Sequence, residues 1–136
     1  MAMRRYAQAI LYGMVLLLMT RILAEYLLAQ NFSVHASFLA EVFMKDCISL
    51  AVGAFAAGYR ARSWLAGLAV SCCLAIGLVG LWTYMSASPL SNVLSGVAHH
   101  PIILLEFPAL LGIGALAGAA GQALRNKTAE DHLRQQ

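Results

Sequence analysis

The sequence predicts an all-α integral membrane protein, a bundle of four membrane-crossing helices with both termini on the cytoplasmic side. Three observations predict it. Only 11% of the residues are charged and 61% are hydrophobic, whereas a soluble domain carries about 25% charged residues. Four apolar segments reach the roughly 20 residues that a helix needs to cross the hydrocarbon core. Every Lys and Arg outside those segments falls on one side of the alternating topology they define. With 136 residues there is room for a single domain.

The first segment runs from 6 to 29 and is preceded by Arg4 and Arg5. Its opening, MAMRRYAQAILYGMVLLLMT, has the charged start and apolar run of a signal peptide. The apolar character continues past Arg21 to Ala29 with no A-x-A cleavage site, so an uncleaved span is expected. The second segment covers 38 to 59. The third, 64 to 85, has no charge, and the fourth, 101 to 124, has only Glu106. Arg60 and Arg62 lie between the second and third; Arg125, Lys127 and Arg134 follow the fourth. Residues 30–37 and 86–100 contain neither Lys nor Arg. The net charge of +3 is therefore a topology signal with both ends inside, and it gives no reason to expect nucleic-acid binding.

Residues 1–125 thus form the transmembrane domain, and 126–136, NKTAEDHLRQQ, a polar cytoplasmic tail that frays or forms a short surface helix. Tyr59, Trp64, Trp82 and Tyr84 fall at span ends, as aromatic anchors do. VGAFAAG at 52–58 aligns with IGALAGA at 113–119. Duplication of a helical hairpin explains the echo; convergent use of small residues explains it almost as well.

Six charges lie inside the predicted spans: Arg21, Glu25, Glu41, Lys45, Asp46 and Glu106. With alternating topology, all six fall in the outer half of the membrane. Arg21 and Glu25 are four residues apart, as are Glu41 and Lys45, so each pair shares a helix face and partly neutralises itself. A charge facing lipid at the bilayer centre costs ~3 kcal/mol or more, so these faces are expected to point inward. Two bases cannot balance four acids. The surplus carboxylates are protonated, sit at the wet interface, bind a cation, or pair with another protein. Asp46 and Glu106 are deepest from their outer ends and are the first candidates for a role beyond packing.

Gly53 and Ala57, Gly114 and Gly118, and Ala117 and Gly121 are small residues at four-residue spacing, which lets helix backbones approach closely. Seams within the bundle are expected of them, ahead of a dimer interface. His35, His99 and His100 fall outside the spans and are the weak candidates for a metal site. Adjacent histidines point ~100° apart on a helix, so hydrogen bonding is the default and no metal is expected. Cys47, Cys72 and Cys73 lie in apolar sequence without a C-x-x-C spacing and read as packing residues. H-E-x-x-H, G-x-S-x-G and a phosphate-binding glycine loop are all absent from the sequence. Neither an enzyme nor a cofactor is expected.

In VGAFAAGYRAR and IGALAGAAGQALR the sequence resembles small four-span membrane proteins of bacteria, whose second and fourth helices are glycine-rich and end in basic residues. The resemblance implies the bacterial inner membrane. Asp46, Gly53 and Arg60 also follow the order seen in DoxX-like four-span proteins, without the double glycine usual after the acid. The membrane glutamate early in the first span of small multidrug transporters has no counterpart here. Beyond the lipid bilayer, the expected partner is a larger membrane protein or a second copy of the chain. A non-enzymatic accessory or assembly subunit is the first expectation; an oligomeric transporter for protons or cations, titrating Asp46, Glu106 or Glu41, is the second.

Overall fold

The computed structural model describes the backbone of residues 2–31, 38–86, 92 and 101–134, and the side chains of 3–27, 43–81, 83–84, 92 and 105–131. Four long helices account for nearly all of it: α1 (Ala2–Asn31), α2 (Phe38–Ala61), α3 (Trp64–Ser86) and α4 (Pro101–Arg134). They form where the apolar segments were expected, because Leu, Ala, Met and Ile run on with little to interrupt the backbone hydrogen bonds. Pro108 lies within α4 near its start. Among the described residues, Met3–Leu27, Trp64–Leu81 and Leu105–Asp131 are long and apolar enough to cross a membrane. The described part of α2 is not among them; Lys45, Asp46 and Arg60 dilute its apolar residues.

One boundary differs from expectation. The polar tail is not a separate piece, because α4 continues unbroken to Arg134. No Gly or Pro follows Gly121, and Ala, Leu, Arg, Lys and Glu favour the helix. The Thr128 hydroxyl also donates to the Leu124 carbonyl at 2.8 Å, within the helix.

The turn between α2 and α3 is short and fixed. Arg62 adopts a left-handed conformation with φ 54°. The Ser63 N–H donates to the Gly58 carbonyl at 3.3 Å, closing α2 in the manner of a Schellman cap. The Ser63 carbonyl then accepts the Ala66 N–H at 3.2 Å and opens α3.

α2 is the central helix, packed extensively against both α1 and α4. α3 packs on α4 and α2, and more lightly on α1, while among the described residues α1 and α4 do not meet. The contacts give the directions. Gly13 meets Gly53 and Ala57, and Arg21 meets Asp46, so α1 and α2 are antiparallel. Gly67 and Ser71 meet Gly114, and the Trp64 N–H donates to the Gln122 side chain at 2.9 Å, so α3 and α4 are antiparallel. Gly58 meets Gly118 low on α2 and α4. The ends of α2 and α4 that carry Arg60 and Arg125, and the starts of α1 and α3, therefore gather at one end of the bundle.

Small residues make these seams. A Cβ on Gly13 would stand 2.6 Å from the Gly53 carbonyl oxygen, and one on Gly58 would collide with the Gly118 backbone. Gly121 lies against Phe55 and Tyr59, and Gly118 against Trp64 and Gly67. Gly53, Ala57, Gly114, Gly118 and Gly121 thus all serve contacts within the bundle. Gly13, Gly58, Gly67 and Ser71 share the task and were not singled out by spacing, although Gly67 and Ser71 are also four apart. The core they enclose holds Leu17, Leu50, Ala54, Ala57, Ala66, Val70 and Leu110. Outside it, Leu11, Leu18, Ile22, Ile76, Leu105 and Leu116 are exposed, the apolar exterior expected of a protein solvated by lipid.

Candidate functional site

The charges of α1 and α2 meet at the end of the bundle away from Arg60. On α1, Arg21 and Glu25 sit one turn apart, and Arg21 Nη1 donates to Glu25 Oε2 at 3.0 Å. That pair was legible from its spacing. The other two contacts cross between helices. Arg21 Nε lies 2.7 Å from Asp46 Oδ1, and Lys45 Nζ lies 3.1 Å from Glu25 Oε1. Together they form a chain of alternating sign, Lys45–Glu25–Arg21–Asp46, with no net charge.

Burial is uneven along this chain. Lys45 is 3% and Asp46 5% exposed, whereas the Glu25 side chain is 61% exposed. The antiparallel pairing of α1 and α2 places Lys45 and Asp46 against the last turns of α1. One turn deeper, the Ser49 hydroxyl donates to the Lys45 carbonyl at 2.7 Å, so it too is buried without an unmet hydrogen bond. Among the described residues no buried side-chain N or O lacks a hydrogen-bond partner.

One expectation changes and one is extended. Lys45 reaches across to Glu25; its expected pairing with Glu41 on its own helix falls on a side chain outside the described residues. Asp46, expected among the acids in surplus, is held by Arg21. Among the described acids of the predicted spans, Glu106 is the one left over. It is half-buried on α4, within electrostatic reach of Asp46 and Cys47, and among the described residues no cation pairs with it. In-helix spacing could not reveal this division, because it depends on how α1, α2 and α4 are rotated against one another.

His35, His99 and His100 lie outside the described residues. Among the residues that are described, no three His, Cys, Asp or Glu come together in a way that could hold a metal ion. Cys47 is half-buried, Cys72 and Cys73 are exposed on α3, and all three are free thiols. The arrangement is a neutral interhelical clasp with one carboxylate beside it. No protein-family model, curated protein or solved structure matches the chain.

Proposed function

We propose that the protein is a multi-pass protein of the bacterial inner membrane with both termini in the cytoplasm. There it acts as a non-enzymatic accessory or assembly subunit of a larger membrane protein. The gathering of Arg4, Arg5, Arg60, Arg62, Arg125 and Lys127 toward one end supports that orientation. The exposed apolar faces of α1, α3 and α4 support insertion.

The observation that carries the accessory role is Glu106. The clasp on α1 and α2 is internally balanced, so its charges need no outside partner. Glu106 has no cation beside it among the described residues. A carboxylate at membrane depth is costly until something compensates it. A Lys or Arg on a partner helix would do so, and the small-residue seams leave the bundle slim enough to dock as one unit. A second reading, an oligomeric transporter for protons or cations, draws on the nearness of Glu106 to Asp46.

Mild extraction from native membranes, followed by mass spectrometry of co-purifying proteins, separates the two. The accessory role predicts a stoichiometric larger membrane protein with the wild type and its loss with Glu106→Gln. A clean homo-oligomer overturns it. Reconstituted vesicles whose pH-dependent flux disappears in Asp46→Asn or Glu106→Gln would establish transport instead.

A further inference from the structure

At the basic end, the described residues of α1 and α4 do not meet, and α2 forms the floor between them. The gap is a cleft of about 540 Å³, within the range of roughly 300–1,000 Å³ that small-molecule sites occupy. Leu16 of α1, Phe55 and Ala56 of α2 and Leu124 of α4 line it. Its polar groups are two arginines, each beside a tyrosine. The Arg60 guanidinium lies 4.9 Å from the centre of the Tyr12 ring, and that of Arg125 lies 5.2 Å from the centre of Tyr59. Arg125 Nη1 also donates to the Tyr59 hydroxyl at 3.3 Å.

Aromatic faces, not carboxylates, hold both guanidiniums. Among the described residues neither arginine is in an ion pair. An arginine stacked on a ring keeps its in-plane N–H groups free for an oxyanion, and its planar fork matches phosphate. The cleft thus combines an apolar wall with a pair of uncompensated cations, at the end of the bundle where headgroups would lie. That combination is complementary to an anionic amphiphile. A soluble phosphate would gain nothing from Leu16, Phe55 and Leu124.

We propose that this cleft binds one anionic phospholipid, an acyl chain lying between α1 and α4 and the phosphate held by Arg60 and Arg125. Basic pockets between membrane helices on the cytoplasmic side recognise such headgroups. The site rests on the membrane-spanning reading but not on the accessory role.

The test is native mass spectrometry of the full-length, delipidated protein in mild detergent, titrated with phosphatidylglycerol or with phosphatidylcholine of the same chains. The wild type is expected to take up one phosphatidylglycerol in preference to phosphatidylcholine. Arg60→Gln with Arg125→Gln should weaken that binding roughly 25-fold, about fivefold per arginine. Ala56→Phe fills the cleft and leaves every charge in place; it should abolish the preference, whereas Arg4→Gln with Arg5→Gln should keep it. Thermal melts of each variant identify any that fail to fold, and the two independent routes of disruption keep the outcome readable. Equal uptake of both lipids overturns the proposal, as does anionic binding that survives both disruptions. Displacement of the lipid by inorganic phosphate alone would make this a soluble-anion site and also overturn it. A homo-oligomer that still selects phosphatidylglycerol would remove the accessory role and leave the lipid site standing.

Discussion

Asp46 and Arg21 sit on different helices, and each is the other's short-range counter-ion, at 2.7 Å. Asp46→Asn keeps the shape and removes the charge, leaving the guanidinium without its buried partner. Because Glu25 still faces the guanidinium at 3.0 Å, the loss is that of a charge-assisted hydrogen bond, roughly 1.5–3 kcal/mol. Equilibrium unfolding in mild detergent should show a loss of that order. Adding Arg21→Gln in the same chain should cost less than the two single losses summed, because the pair acts as a unit. Strict additivity would show that the two side chains do not depend on each other. The Arg21–Glu25 contact was readable from the sequence because four residues bring a helix back to the same face. The Arg21–Asp46 contact was not, since no in-helix spacing sets how two helices face one another.

At the scale of the helix, the glycines divide into those that make seams and those that do not. Gly58 faces the backbone of Gly118, which cannot rotate out of the way as a side chain could. Gly58→Ala should therefore destabilise the bundle by roughly 1–3 kcal/mol, the usual cost of overpacking. Nothing lies within 4 Å of the space a Cβ on Gly112 would enter. Gly112→Ala should be neutral or gain up to about 1 kcal/mol of helix propensity. The two variants, compared by thermal melting in one detergent, separate packing from propensity. Arg62 offers a third measurement. Its left-handed backbone, φ 54°, strains any residue with a Cβ, so Arg62→Gly should raise stability by about 1 kcal/mol in the same melt. Helix positions and most seam residues were legible because length and small-residue spacing are properties of single segments. Gly13 has Ala9 four positions before it, but its close approach is to Gly53 on another helix, and spacing along one helix does not name that partner.

Over the whole molecule, the exposed cysteines test the environment directly. Cys72 and Cys73 lie uncovered on α3, in its most apolar stretch. In intact membranes a charged maleimide should label neither, and in denaturing detergent both should react. Labelling in the native membrane would place α3 in water and overturn the membrane reading. The all-helical architecture was legible from composition alone, since so apolar a chain has little polar surface to offer water. The division of the described charges into a balanced clasp and a Glu106 with no cation beside it was not, because it needs three helices in place at once.

The clasp also bears on how such a chain enters a bilayer. A charged side chain at a helix centre opposes translocon-mediated insertion by roughly 2.5–3.5 kcal/mol, and α2 carries Lys45 and Asp46 within its length. Their counter-charges, Glu25 and Arg21, arrive earlier on α1. The first helix thereby becomes a template for the second. On the proposed membrane-spanning reading, α2 would partition as half of a hairpin in which Lys45 and Asp46 already meet their counter-charges, and insertion of the pair would be a single cooperative event rather than two.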